Sequence, residues 1–156
     1  MKLKIIIYFS FFIAAALLLI SAGKKTYTST PIKFDIPKGF PTPPTNIFTK
    51  NKLTQEGFEL GKKMFYDARL SKDGEISCSS CHQQFAAFAT YDHDLSHGIN
   101  NSFSNRNAPA LINLAWMKAW HWDGGINHLE MQPLSPLSAA NEMGEKLDTV
   151  IFEIKS

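Results

Sequence analysis

The segment Cys78-Ser79-Ser80-Cys81-His82 contains both cysteines of the 156-residue chain and places a histidine directly after the second one. The pattern C-x-x-C-H is the attachment signature of a c-type haem. Two thiols at this spacing can each add to a vinyl group of the haem, and the histidine that follows then lies under the iron as its proximal ligand. The motif therefore predicts that Cys78 and Cys81 hold a covalent haem c and that His82 binds the iron.

Two other uses of paired cysteines fit the sequence less well. A thioredoxin-like redox dithiol is expected beside a βαβ unit, and the flanking residues have no such pattern. A structural zinc site needs four ligands from Cys and His, but the chain has no second pair of cysteines. Covalent haem is the favoured interpretation, with a redox dithiol or a chance match as the alternatives.

The N-terminus has the pattern of an export signal. Two lysines precede a nearly unbroken apolar run over residues 5–20, and the small residues Ser21-Ala22-Gly23 follow it. This order is typical of a secretory signal peptide, here residues 1–23. A helix of the apolar run would be about 24 Å long, short of the roughly 30 Å apolar core of a bilayer. We therefore favour a cleaved signal over an N-terminal membrane anchor, and either one predicts a domain in the periplasm.

The charge of the chain argues against nucleic acid as a partner. Lysine and arginine number 16 against 14 aspartates and glutamates, and two of the lysines lie in the predicted signal, which leaves 14 basic and 14 acidic residues. A nucleic-acid-binding domain would need a clustered basic face. The 44% hydrophobic content, with 12 phenylalanines, suits one domain with a packed core.

The pattern after the signal divides into an arm and a helical domain. Residues 24–50 are rich in threonine and proline, which removes backbone donors and predicts an extended arm. Beyond residue 50, apolar residues at helical spacing predict several helices, and the polar composition of residues 90–107 predicts a loop. No stretch alternates between apolar and polar residues as a strand does. The predicted helices run from Gln55 to Ala68 after an N-cap at Thr54, from the motif through Phe88, from Pro109, from Ile126 to Gln132 and from Lys146, with an irregular stretch at Pro133 and Pro136. The predicted class is all-α, with residues 51–156 forming a cytochrome c-like haem domain.

From about Leu53 onward, five motifs in order resemble the N-terminal haem domain of bacterial di-haem cytochrome c peroxidases. They are LGKKMFYDARLS at 60–71, ISCSSCH at 76–82, RNAP at 106–109, WDG at 122–124 and EMG at 142–144. The resemblance implies the reduction of hydrogen peroxide to water. It also implies electrons from a small donor protein, such as a cytochrome c or a cupredoxin.

The resemblance also implies roles for individual residues. In that family this haem is the peroxidatic one, and a second histidine on its resting iron leaves when a partner haem is reduced; His97 matches it. Glu142 matches the acid–base carboxylate, and Gln132 matches a supporting amide. Trp122 matches the aromatic side chain between the two haems, and Asn107 matches a ligand of an inter-domain calcium.

Other interpretations of these residues stay open. His93 is close enough in sequence to be the second ligand in place of His97, although Gly98 gives His97 a neighbour that favours movement. A methionine could bind the iron as in simple cytochromes c, but the helical spacing of the methionines favours a role in core packing. Glu142 could simply cap the final helix.

Two features depart from the family pattern. Gly125 follows Trp-Asp-Gly where many members have an arginine, so the propionate contact of that arginine is not implied. The given sequence has no second C-x-x-C-H, so we expect the family's C-terminal haem domain to be absent after Ser156. We therefore expect a partial peroxidase chain that lacks its second haem domain, and we count a homodimer among its partners. A stand-alone mono-haem electron carrier and a related di-haem oxidase acting on a protein substrate are the alternatives.

Overall fold

The computed structural model of the chain describes residues 28–44 and 48–155, so the predicted signal at 1–23 lies outside the described residues. Over these ranges the structure is helical, and β-pairing is limited to four isolated bridges. The α-helices are α1 (Gln55–Phe65), α2 (Cys78–Cys81), α3 (Leu134–Ser138) and α4 (Leu147–Lys155), and the 3-10 turns are Ala68–Leu70, Gln84–Ala86, Ile99–Asn101, Leu114–Trp116 and Leu129–Met131. No helix in the described part is long and apolar enough to cross a membrane.

Helix α1 begins where the sequence predicts. The Thr54 hydroxyl accepts a hydrogen bond from the Gly57 amide at 3.1 Å, which satisfies one of the free donors of the first turn. The helix ends at Phe65 and not at Ala68 as predicted, because Asp67 starts a separate 3-10 turn. The Asp67 carboxylate accepts hydrogen bonds from both the backbone and the guanidinium of Arg69.

Three other helix predictions are wrong in extent. The helix at the motif ends at Cys81 and does not continue through Phe88, which has a φ of 61°. Pro109 starts no helix, and the residues after it form only the 3-10 turn Leu114–Trp116. The helix predicted over residues 126–132 is only the 3-10 turn Leu129–Met131. Conversely, the stretch predicted to be irregular contains α3, because Pro133 adopts helical angles, and the first turn of a helix tolerates proline.

The described part of the Pro-rich arm packs along the helical part of the chain. Thr30 donates to the Glu56 carboxylate from its amide at 2.9 Å and from its hydroxyl at 2.8 Å. Further along, the Trp116 indole N–H donates to the Pro41 carbonyl at 2.7 Å. The Phe40 ring centroid lies 4.8 Å from that of Trp116. The described part of the arm is therefore held at Thr30 and at Pro41, and it packs on the Trp116 ring.

The buried core lies directly behind the C-x-x-C-H motif. Leu70, Leu137, Met143 and Val150 form a buried cluster, and Cys78 packs against it. Each such side chain contributes about 1.5–3 kcal/mol by leaving water. The Lys72 amide donates to the Met143 carbonyl at 2.9 Å, which ties the turn before the motif to the segment that contains Glu142. The core thus fixes the motif relative to the residues that follow α3.

Candidate haem site

One cavity of about 460 Å³ opens beside the motif, a volume typical of small-molecule and cofactor sites. Its lining is mostly apolar, with a few polar groups that converge on it. Eight residues with predicted roles line this cavity, whereas the alternative ligand His93 does not. The eight are Cys78, Cys81, His82, His97, Asn107, Trp122, Gln132 and Glu142. The structure therefore brings the predicted attachment residues and the predicted catalytic residues to one place, while the role of each stays a prediction.

The two cysteines are presented by a short, capped helical turn. The Ser77 amide donates to the Ser80 hydroxyl at 3.1 Å, which closes a capping box around α2. Both thiols are free, and burial raises the pKa of each above its ordinary value. A redox dithiol would favour the thiolate and hence a lowered pKa. A zinc site would need further ligands, and the described residues hold no group of three or more His, Cys, Asp or Glu that could bind a metal ion. Half-buried thiols that line a cavity therefore fit attachment of a haem better than either alternative.

The His82 side chain is prepared to act as a metal ligand. Burial lowers its pKa, while the backbone carbonyls of Phe88 and Pro109 act in the opposite direction. Nδ1 lies 2.7 Å from the Phe88 carbonyl oxygen. Because a carbonyl only accepts hydrogen bonds, Nδ1 must carry the proton, which leaves the lone pair of Nε2 for a metal. Together with the thiols and the cavity, this arrangement fits haem c.

Glu142 presents a half-buried carboxylate to the same cavity. Burial raises its pKa, and the positive charge of a protonated His121 would act in the opposite direction. Its backbone is fixed on both sides, because its amide donates to Ala139 at 3.0 Å and its carbonyl accepts from Ile99 at 2.8 Å. A carboxyl group with a raised pKa can both give and take a proton nearer neutral pH. Gln132 also lines the cavity and can supply an amide hydrogen bond.

His121 is a cavity residue that the sequence analysis missed. It lines the cavity with a φ of 67°, a left-handed backbone that is uncommon for residues with a side chain. The sequence signal was its position directly before Trp122, which also lines the cavity. Strained backbone of this kind often occurs at functional sites.

His97 and His93, the two candidates for the second iron ligand, lie side by side. Their ring centroids are 4.7 Å apart, and the His97 ring is also 4.7 Å from that of Phe103. The His97 carbonyl oxygen lies 3.5 Å from the Cys81 sulfur, so this segment borders the attachment site. The next residue, Gly98, is buried, and its amide donates to Ser102 at 2.9 Å. The segment is more firmly held than the polar loop predicted from the sequence.

Trp122 and Asn107 lie at the edge of the cavity. The Trp122 indole N–H donates to the Asn107 carbonyl at 2.8 Å, and the Asn107 side-chain amide donates to the His93 carbonyl at 3.0 Å. The Trp122 side chain is 65% exposed, so it faces solvent as well as the site. Within the described ranges no group of three or more His, Cys, Asp or Glu could hold a metal ion, and the calcium role of Asn107 stays a prediction.

Known proteins resemble this chain over most of its length. The family described as di-haem cytochrome c peroxidase matches residues 55–156. Methylamine utilization protein MauG of Methylorubrum extorquens is 31% identical over 141 residues, which are 86% of this chain and 36% of that protein. Cytochrome c551 peroxidase of Nitrosomonas europaea is 39% identical over 85 residues, which are 54% of this chain and 25% of that protein.

A solved structure resembles the fold as well. The crystal structure of a MauG-like protein associated with microbial copper homeostasis matches with a TM-score of 0.67 and 38% sequence identity, over 79% of this chain and 35% of that one. The chain spans 36% of the length of MauG, so the activities of these relatives belong to longer proteins. The family match covers most of the chain, including every residue of the candidate site. The chain therefore belongs to the di-haem cytochrome c peroxidase family, a family of peroxidase oxidoreductases.

Proposed function

We propose that this chain forms a c-type haem site of cytochrome c-like fold that reduces hydrogen peroxide to water with electrons from a small donor protein. Cys78 and Cys81 attach the haem through thioether bonds, and His82 is the proximal ligand. The observation that carries the proposal is the single cavity lined both by the attachment motif and by the carboxyl group of Glu142. A haem bound there would supply the iron that binds peroxide and passes on two electrons.

The protein's own groups supply the proton transfers. Reduction of one peroxide consumes two electrons and two protons and yields two waters. Glu142 accepts the proton of one peroxide oxygen and delivers it to the other, which then leaves as water. The raised pKa of Glu142 supports this role, because the carboxyl group can then both accept and donate a proton. Gln132 orients the peroxide by hydrogen bonding, and the apolar lining limits the access of bulk water.

Three further residues control access and electron supply in this proposal. His97 would be a second ligand of the iron in the resting protein, and its movement away from the iron would open the site to peroxide. Trp122 lies on the electron path to a partner haem, and its fixed indole supports that role. Asn107 holds a calcium ion through its side-chain oxygen. A cytochrome c or a cupredoxin is the donor, and a homodimer is the proposed assembly.

The location of the protein follows from the same chemistry. Residues 1–23 direct the chain across the cytoplasmic membrane, residues 24–50 form an extended arm, and residues 51–156 form the haem domain. Covalent haem is attached in the periplasm, where the site then works. Intact mass of the protein purified from the periplasm tests signal removal and haem attachment in one measurement.

The decisive experiment compares two glutamate variants of the full chain, expressed with the machinery that attaches haem c. Glu142→Gln should keep the covalent haem and lose about 10²–10⁴-fold in peroxide turnover. Glu145→Gln is the matched control, because Glu145 lies three residues away, outside the cavity. Equal turnover by the two variants would refute the role of Glu142, and a wild-type chain without covalent haem would refute the whole proposal.

A second candidate function is that of a related di-haem oxidase. It is favoured by the similarity to MauG, which covers 86% of this chain. The same cavity and the same Glu142 would serve it, but the oxidised substrate would be a protein. Peroxide consumption that depends on an added protein, and not on a reduced cytochrome c or cupredoxin, would favour this candidate.

A further inference from the structure

His121 is a second ionisable group in the cavity that holds Glu142. Both side chains line that cavity. The two groups are close enough that a positive charge on the His121 ring would lower the pKa of the Glu142 carboxyl, against the effect of burial. The proton transfers described above use Glu142 alone, so the imidazole of His121 has no role in them.

A closed loop holds His121 beside the cavity. At its base, Trp120 is 3% exposed, its amide donates to the Ile126 carbonyl at 2.8 Å, and the Ile126 amide donates back at 3.3 Å. The Gly124 amide donates to the His121 carbonyl at 3.2 Å. His121 itself has a φ of 67°, which costs free energy for a residue with a Cβ and persists only where surrounding contacts hold it. The loop therefore fixes the backbone that presents the imidazole to the cavity.

The other ionisable groups of the cavity are already engaged. They are Cys78, Cys81, His82, His97, Arg106 and Asp123. Arg106 and Asp123 form an ion pair with each other at 3.1 Å, and His82 bonds to the Phe88 carbonyl. The two thiols and His97 have proposed roles toward the haem. Apart from Glu142, His121 is therefore the ionisable group of this cavity that is left to act on protons.

Peroxide reduction needs protons from outside the cavity. Each peroxide consumes two protons, whereas the transfer assigned to Glu142 only moves a proton from one peroxide oxygen to the other. An imidazole exchanges protons readily near neutral pH, because one ring nitrogen can accept a proton while the other donates one. His121 is half-buried, and the next residue, Trp122, is 65% exposed, so this part of the loop reaches from the cavity to the surface.

We propose that His121 is a proton-relay residue, whose imidazole takes protons from solvent and passes them to the Glu142 carboxylate. In each transfer an N–H bond of His121 breaks and an O–H bond of Glu142 forms, and the neutral ring then takes a new proton from water. Glu142 delivers the proton to an oxygen derived from peroxide, and the donor protein supplies the electrons. His121 thus acts through Glu142. The inference rests on the proposed function, because it requires the reduction of peroxide beside Glu142.

His121→Asn tests the relay, because it removes the ionisable ring without opposing the backbone of the loop. Asparagine adopts left-handed angles more readily than most residues, so the loop should keep its shape. We expect the variant to attach haem and its kcat for peroxide to fall about 10²-fold with an unchanged KM, since only proton delivery is lost. The decline of wild-type turnover with rising pH, through the range in which imidazole loses its proton, should also disappear.

The ionisation of Glu142 gives a readout that does not depend on turnover. It can be followed against pH by the infrared carbonyl band of the carboxyl group in the holoprotein, with Glu142→Gln as the spectral reference. The ionisation should move to a higher pH in His121→Asn, because a protonated imidazole nearby favours the carboxylate. An unchanged ionisation overturns the relay.

His128→Asn is the matched control. His128 also has a carboxylate neighbour, with Nδ1 3.9 Å from a Glu130 oxygen, but it is exposed and lies outside the cavity. This variant should keep the turnover, the pH profile and the Glu142 ionisation of the wild type. Wild-type turnover in His121→Asn overturns the relay, and so does an equal loss in His128→Asn.

Glu142→Gln separates a failure of the relay from a failure of the proposed function. If Glu142→Gln loses turnover and His121→Asn does not, the relay alone is refuted. If Glu142→Gln keeps full turnover, the proposed role of Glu142 is refuted and the relay with it.

The reciprocal titration decides the matter if His121→Asn attaches no haem. The protonation of the His121 ring is then followed by NMR in histidine-labelled wild-type and Glu142→Gln holoproteins. The ring should lose its proton at a lower pH in Glu142→Gln, because the carboxylate that favours its charged form is gone. An identical titration in the two proteins overturns the relay.

Discussion

The Gly98→Ala substitution should damage the site through a single added methyl group. An alanine Cβ at this position would lie 2.8 Å from the Asn141 carbonyl carbon and 2.9 Å from Glu142 Cα, and closer still to the Asn141 oxygen. Carbon atoms make ordinary contact from about 3.5 Å, so the backbone at 141–142 must retreat by at least ~0.7 Å. Gly98 itself has extended backbone angles that alanine adopts freely, so the effect is purely steric.

The expected cost follows from what the methyl group meets. Overpacking of a close-packed region costs about 1–3 kcal/mol, and contacts with rigid backbone fall at the upper end of that range. We therefore expect a loss of about 3 kcal/mol in the free energy of unfolding, measured by urea denaturation of the holoprotein. Displacement of Glu142 by such a distance should also lower peroxide turnover by roughly 10–100-fold.

Gly61→Ala is the matched control. Gly61 lies inside α1, and an added Cβ there would have no neighbour within 4 Å. Alanine restricts the unfolded chain and favours the helix, so this variant should gain about 0.5–1 kcal/mol and keep full turnover. If Gly98→Ala were as stable as the wild type or as Gly61→Ala, the packing of Gly98 against residues 141–142 would be wrong.

Three other substitutions test single contacts. Thr54→Ala removes the hydroxyl that caps the Gly57 amide and should cost about 1 kcal/mol of unfolding free energy in urea, whereas an unchanged midpoint would exclude the cap. Trp116→Phe keeps an aromatic ring but removes the donor to the Pro41 carbonyl, so it should cost about 1 kcal/mol and increase proteolysis of the arm; a protease-resistant variant of wild-type stability would contradict the contact. Glu142→Gln should be more stable than the wild type at pH 7, because burial raises the carboxyl pKa in the folded state and the wild type loses stability as pH rises through that pKa. The difference between the two proteins should shrink below the ordinary pKa of glutamate, and a difference independent of pH between 4 and 8 would refute the burial effect.

The sequence predicts the features whose signals are local. Thr54 and the apolar spacing behind it predict the start of α1, the pattern from Lys146 predicts α4, and C-x-x-C-H predicts where the cavity lies along the chain. In each case the residues that produce the feature lie within one or two helical turns of it in the sequence. Local patterns of this kind can be recognised because capping and helical spacing depend on near neighbours.

The features that the sequence does not predict depend on distant contacts or on unmarked backbone angles. Ala87 and Phe88 adopt left-handed angles without a glycine, because hydrogen bonds across the loop outweigh the intrinsic preference. His121 also has a left-handed φ, in a loop that backbone hydrogen bonds between Trp120 and Ile126 close. Gly98 looks like a flexible hinge in sequence, but the structure packs it against Asn141, a neighbour that no local pattern indicates.

The packing of Gly98 joins the parts of the site into one unit. Through Gly98 and the bond from Ile99 to the Glu142 carbonyl, the segment that contains His97 rests on the segment that contains the acid–base candidate. Met143 follows directly and belongs to the buried cluster against which Cys78 packs. The segments that contain the attachment residue, the carboxyl group and the candidate second ligand are therefore all connected to one small core. Because that core has few buried side chains, a cavity made in it should disturb haem attachment and proton transfer together, although neither group of residues is itself changed.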